Sequence, residues 1–193
     1  VVTLLFAGCS LQTNLALANN ARYGGVDSQW MEALEWMGAN TPNPGVDYTA
    51  ILDQNTFTYP EDAYGVMSWW DYGHWITLIA KRIPNNNPFQ HGVAGPNGSA
   101  RYFVATDEET ANKILDNIGT RYVVTDIQLD TGKFHAPATW ADPDVGRSPF
   151  EPQFFVPTST AATSYQAVPF YSQEYYLTMV SRLHNFDGSM TDP

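Results

Sequence analysis

The sequence predicts an α+β domain, dominated by helices around a small sheet and threaded by long irregular loops. Three observations carry that reading. Apolar residues recur at helical spacing in segments bounded by cap residues, β-type runs are few and short, and Pro- and Asn-rich stretches separate them. The 193 residues are 44% hydrophobic and 14% aromatic, enough to enclose a core and too rich in rings for a disordered chain.

The chain opens Val1-Val2-Thr3-Leu4-Leu5-Phe6-Ala7, an apolar run that weakens at Gln12, Thr13 and Asn14. That is too short to span a bilayer alone, and no basic segment of the signal-peptide kind precedes it. Residues 1–24 are therefore an apolar lead-in, the end of a membrane segment or a packed first helix, and residues 25–193 are one globular unit. Asp27 can cap a helix running to about residue 39, with Trp30, Leu34 and Met37 on one face and Glu32 and Glu35 off it. Residues 40–64 form a long loop. The run Val66 to Trp70 is strand-like and leads into a second helix, about residues 72–81, closed before Pro84. Loops follow at residues 85–88 and 92–98. Thr106 and Glu109 have the spacing of a capping box for a helix to about Ile118, with Gly119 as its stop. Residues 122–126 read as a buried strand, residues 128–160 as irregular, and about 172–183 as a last helix.

Composition excludes several functions. Twenty Asp and Glu against nine Lys and Arg give a net charge of −11, which repels nucleic acid and anionic membrane surfaces. An acidic surface with only three Lys suits concentrated salt. The single Cys9 rules out a disulfide framework and a thiolate metal cluster. His74, His91, His135 and His184 share no helical face, and neither a Gly-rich phosphate loop nor a nucleophile-elbow serine occurs. Asp142 and Asp144 read as solvated loop acids. No complete active site is visible.

Trp69-Trp70-Asp71-Tyr72-Gly73 stands apart. Neighbouring side chains on extended backbone point opposite ways, so one of the two Trp must line a surface or a cleft. An indole N–H only donates and a carboxylate only accepts, so Trp70 or Trp69 with Asp71 can satisfy both sides of one hydroxyl, as recognition of Ser or Thr requires. An aromatic cluster with Asp71 as a helix N-cap fits the same residues.

This segment is identical to the WWDYG signature of the oligosaccharyltransferase catalytic subunit, and the chain resembles that family, most of all its archaeal AglB members. The resemblance extends to Trp30–Met37 with Asn40-Thr41-Pro42, to Ala111–Leu115 with Arg121–Asp126, and to Met179–His184 with Phe186-Asp187-Gly188. It implies the family's C-terminal extracytoplasmic domain, and a glycosyltransferase that moves a dolichol-linked oligosaccharide onto Asn in N-x-Ser/Thr at the outer face of the cell membrane. Trp69, Trp70, Asp71, Tyr72 and Gly73 would bind the acceptor peptide. A second family motif is similar to Asp126-xx-Leu129-xxx-Lys133, with Leu where Met is usual, and would pack the Thr methyl. His74 stands where the family contacts the lipid-linked donor, although a surface helix His reads equally well. The resemblance further implies a Mg or Mn ion whose ligands lie in the family's transmembrane half, so that these residues alone recognise acceptor without transferring glycan. A non-enzymatic extracellular glycan- or peptide-binding module is the alternative. Asn97-Gly98-Ser99 is the one N-x-Ser/Thr sequon, expected in an exposed loop and partly modified.

Overall fold

The computed structural model describes residues 11, 13–15, 25–48, 50–53, 55–158 and 164–186. Helix α1 (Ser28–Asn40) begins where Asp27 Oδ1 accepts the Trp30 N–H at 2.9 Å, and it buries Trp30, Leu34 and Met37 as expected. The loop after it ends in strand β1 (Gly65–Met67), buried throughout. Strand β1 is the centre of a three-stranded parallel sheet in the order β2-β1-β3, with β2 Ile83–Pro84 and β3 Thr120–Val123. The strand expected at 122–126 thus starts two residues earlier, and Val124 N–H still reaches Met67 O at 2.8 Å.

The helix expected at 72–81 is three tight pieces in succession. A 3₁₀ turn (Trp70–Tyr72) runs into α2 (Gly73–Trp75) and then a π-helical turn (Ile76–Ala80). Lys81 ends it in the left-handed region at φ 54°. Tertiary contacts force this winding. Gly73 lies so close to the 86–87 loop that a Cβ would strike the Asn86 carbonyl. Beyond the turn, Arg82 is 3% exposed and fastens two helix C-termini together. Its guanidinium donates to the carbonyls of Ala80 and Lys81 at 3.0 and 2.8 Å, of Gly38 and Thr41 at 3.0 and 2.6 Å, and to Thr41 Oγ1 at 2.7 Å. A cation among carbonyls left over at helix ends answers both their unmet hydrogen bonds and the negative end of the dipole.

Helix α3 (Ser99–Val104) was not foreseen, and it packs on α4 (Glu108–Asn117), α5 (His135–Ala141) and α7 (Met179–Asn185). The cap of α4 is Asp107, whose Oδ1 accepts Thr110 N–H at 2.7 Å, and not the Thr106–Glu109 pair. Gly119 follows its end at φ +63°, as expected. A second π-helical turn (Gln128–Gly132), α5 and strand β4 (Gln153–Pro157) occupy the 128–160 stretch expected to be irregular, and β4 pairs antiparallel with β5 (Tyr165–Pro169) beyond it. The last helix is two: α6 (Gln173–Leu177) and α7, split at Thr178, whose hydroxyl caps α7 while Met179 N–H bonds Ala105 O at 2.9 Å. The core runs from Leu34, Val66 and Ile76 through Trp69 and Phe103 to Phe134, Tyr175 and Val180.

Leu11 and Thr13 to Leu15 are helical, with Leu11 and Leu15 exposed. The rest of the lead-in lies outside the described residues. Among the described residues no helix is long and apolar enough to cross a membrane.

Candidate functional site

The site is assembled where β1 leaves the sheet. Trp69 is extended (φ −69°, ψ 147°) and 1% exposed, so it drops into the core, while the 3₁₀ turn swings Trp70 to a half-buried position at the rim. The two indoles stand 6.3 Å apart, and the divergence expected of adjacent Trp is met. Asp71 follows inside the turn and caps no helix, because the N-cap position falls on Trp69 and has no side-chain bond. That removes the helix-cap explanation of the acid.

Two atoms of this pair have nothing to bond. Trp70 Nε1 and Asp71 Oδ1 are both shut from solvent and lack a hydrogen-bond partner. A buried donor or acceptor left unmet costs about 1–3 kcal/mol, more for a charged group, so each of these two atoms lacks a partner that the fold itself does not supply. The complement is a group that accepts from the indole and donates to the carboxylate, which describes a hydroxyl.

The second sequence motif folds against the first. Asp126 Oδ1 accepts the Leu129 N–H at 2.7 Å and its Oδ2 accepts Trp30 Nε1–H at 2.9 Å, so it holds the start of the π turn against α1. Leu129 is fully enclosed in the core. Lys133 closes the turn, its N–H on Gln128 O at 2.6 Å, and its ammonium reaches back to Asp71 Oδ2 at 2.5 Å. The same ammonium donates to Tyr72 Oη at 3.3 Å and lies 4.8 Å from the centre of that ring. Leu129 thus points inward within the turn, while Lys133, at its C-cap and off helical backbone (φ −120°, ψ 5°), reaches across to Asp71. Lys133 holds one carboxylate oxygen and leaves the other free.

Sequence reasoning missed Asp130, the anchor of this turn. It is completely buried, accepting Tyr175 Oη–H at 2.5 Å and Asn185 Nδ2–H at 2.9 Å. An Asp between Leu129 and Lys133 gives no such signal, since its partners lie about fifty residues away. Tyr72, packed on Trp30 at 4.2 Å between ring centres, is buried, and its phenol is pushed far above the usual range by burial first and then by the Asp126 and Asp71 carboxylates. It stays neutral. Gly73 permits the close approach to the Asn86 backbone described above. His74 is exposed and meets only the edge of Phe89, at 5.6 Å.

The sequon meets the expectation of an exposed loop at Asn97 and departs from it at Ser99. Asn97 is exposed, but Ser99 opens α3 and is fully buried, with its hydroxyl turned away from solvent. Asp142 is a loop acid that closes an Asx turn on Asp144 and Val145 N–H groups, both at 3.1 Å. Among the described residues no group of three His, Cys, Asp or Glu could hold a metal ion.

Known proteins resemble this chain in both sequence and fold. A family model described as the AglB core domain matches residues 27–130. Dolichyl-phosphooligosaccharide-protein glycotransferase 3 of Archaeoglobus fulgidus is 37% identical across 91% of this chain and 23% of its own length. The chain thus spans less than a quarter of that curated relative. Two solved structures share the fold. One is an A. fulgidus oligosaccharyltransferase tethered to an acceptor peptide containing the NVT sequon (TM-score 0.74, 33% identity, 97% of this chain and 26% of that one). The other is archaeal oligosaccharyltransferase AglB from the same organism, in complex with an inhibitory peptide and a dolichol-phosphate (TM-score 0.73, 33% identity, 97% of this chain and 25% of that one).

Proposed function

Since this chain belongs to the AglB core-domain family, we propose that it is the acceptor-recognition domain of an oligosaccharyltransferase. The enzyme transfers a dolichol-linked oligosaccharide to the Asn side chain of N-x-Ser/Thr sequons, at a membrane and on its extracellular face. The observation that carries this reading is the stranded pair on consecutive residues, Trp70 Nε1 and Asp71 Oδ1. Trp70 donates to the oxygen of the sequon's +2 hydroxyl, and Asp71 accepts its proton.

Each other residue has a part in that arrangement. Lys133 fixes the Asp71 carboxylate through Oδ2, and its aliphatic stem offers the surface for a Thr methyl, since Leu129 is enclosed beneath it. Trp69 is the buried support of the turn, Asp126 and Asp130 set the height of Lys133, and Tyr72 is a neutral wall. His74 faces outward, free to meet the donor's lipid-phosphate side. An acceptor lacking the hydroxyl leaves a buried indole N–H and a carboxylate oxygen unpaired, which is how such a site rejects it by a large factor.

An amide nitrogen is a weak nucleophile, so transfer needs carboxylates around it and a divalent ion, Mg or Mn, on the phosphate leaving group. Among the described residues no group of three His, Cys, Asp or Glu could hold that ion, and this proposal assigns its ligands to the remainder of the enzyme. These residues bind and orient acceptor, and the remainder of the enzyme carries out transfer. The test is transfer from a dolichol-linked donor to an Asn-x-Thr peptide in the presence of Mg or Mn. The full-length protein should glycosylate the peptide and Asp71→Ala should do so at least about tenfold less efficiently, while the 193-residue chain alone should give no product. Glycosylation by the chain alone would overturn the division of labour.

A further inference from the structure

Cations are scarce in this chain, nine against twenty acids, and what each one touches is therefore informative. All but Arg22 lie among the described residues. Lys133 pairs with Asp71, Arg147 with Glu151 and Arg182 with Glu108. Arg82 is spent on carbonyls, and Arg121 lies over the rings of Tyr64 and Tyr122 at 5.6 and 5.9 Å. Lys81, Arg101 and Lys113 remain, with neither an ion pair nor a ring. Two of these three open on the same concavity.

That concavity, about 560 Å³, lies between the loop before α3, the first turn of α3 and one face of α4, and no acid lines it. Arg101 projects from α3. Thr110, Lys113 and Asn117 recur along α4 at spacings that put them on one face. Asn117 Nδ2 donates to Asn97 Oδ1 at 3.0 Å and ties the loop wall to the helix wall. Glu109 and Asp116 share the helix with Lys113 but pair with neither cation. None of these residues belongs to the WWDYG segment or to the Asp126–Lys133 turn.

We infer that this cavity is a second binding site, for an acidic sugar: a polyol carrying a carboxylate or a phosphate. Unpaired cations lining one concavity of an otherwise acidic protein raise the positive potential there, and an Arg fork and a Lys on the walls of the same cavity are suited to an oxyanion. The hydroxyl of Thr110 and the amides of Asn97 and Asn117 both donate and accept, which is what ring hydroxyls require. The volume falls within the range of small-molecule sites and exceeds what a bare phosphate needs.

The experiment is calorimetric titration of the full-length protein at low ionic strength with glucuronate, glucose 6-phosphate, glucose and inorganic phosphate. Saturable binding of glucuronate or glucose 6-phosphate, with glucose silent, supports the site, and the tighter of the two identifies the acidic group. Arg101→Gln with Lys113→Gln should weaken that binding by about tenfold or more and leave the fold intact by circular dichroism, since both side chains are exposed. Lys81→Gln, the third unpaired cation and outside the cavity, should leave binding unchanged. No saturable heat, or equal binding by the double variant, overturns the proposal. Inorganic phosphate binding as tightly as glucose 6-phosphate overturns the assignment to a sugar.

Discussion

Replacing Lys133 by Met separates the structural from the functional meaning of the Lys133–Asp71 pair. Both side chains are partly open to water, 36% and 28% exposed, so the ion pair is screened and contributes about 0.2–1 kcal/mol to folding. The ammonium over Tyr72 adds about 0.5–1 kcal/mol, and Met keeps most of the aliphatic packing. The combined loss is about 1–2 kcal/mol, a fall in Tm of roughly 2–8 °C for a domain of this size. Acceptor recognition should suffer more. Without its cation the Asp71 carboxylate is free to turn, and the charge-assisted bond to the hydroxyl, about 1.5–3 kcal/mol, is largely forfeited. Acceptor kcat/KM should fall by about tenfold or more, chiefly through peptide KM, while the donor's KM stays put. Lys133→Arg should recover most of the loss. Peptide-transfer kinetics and a melting curve on the same variants settle it. If acceptor kcat/KM stays near wild type while Tm drops, or if Arg is as poor as Met, Lys133 does not position Asp71.

Three further outcomes follow from the fold. Arg82→Leu strands several buried carbonyls at two helix C-termini and should cost at least about 3 kcal/mol, lowering Tm by roughly 6–12 °C in a thermal melt. Asp107→Ala removes the cap of α4, and its effect should vary with pH. The bonds from Thr110 hold the Asp107 carboxyl below its ordinary pKa, so its stabilisation is present above the unfolded value and disappears as pH falls through the folded one. Melts of variant and wild type should converge in acid and separate near neutrality. Folded protein should also be a poor acceptor at Asn97, because the Ser99 hydroxyl that a transferase must read is buried. Intact mass after incubation of the purified, folded chain with active enzyme should show no added glycan at Asn97, whereas a peptide spanning residues 92–104 should be modified.

The sequence was most legible where a local cause decides the structure. Asp27 before a 3.6-residue apolar repeat, and Gly119 at a helix end, mark their elements without help from distant residues. The WWDYG segment was legible as chemistry because adjacent indoles on extended backbone must diverge, and Trp69 and Trp70 do. Elsewhere distant contacts made the decision. The segment after Asp71 winds as 3₁₀, α and π turns because Gly73 meets the Asn86 backbone and Arg82 gathers carbonyls from two helices. Helix α5 went unseen because Pro137 reads as a breaker, yet it falls in the first turn, where no helical N–H bond is lost. The β4–β5 hairpin has no polar alternation, its strands being exposed on both faces, so period 2 never appears. Asp126, Leu129 and Lys133 came into view only through the family resemblance, which their spacing matches. The sequence could not supply the bridge from Lys133 to Asp71, which joins residues 62 positions apart.

The central claim, that Trp70 and Asp71 read the +2 hydroxyl, is tested most directly by the ratio of kcat/KM for an Asn-x-Thr peptide to that for its isostere Asn-x-Val. A site that hydrogen-bonds a hydroxyl discriminates by about 10⁴ or more, so the wild-type ratio should be large. Asp71→Asn should reduce that ratio by roughly tenfold to a hundredfold, the equivalent of about 1.5–3 kcal/mol, and Trp70→Phe should reduce it too. Trp70→Phe should leave Tm nearly unchanged, because its Nε1 bonds nothing in the fold, and Asp71→Asn should lower it by no more than about 4 °C, the worth of the screened pair with Lys133. A Thr-to-Val ratio that survives both substitutions in a folded enzyme would contradict the account.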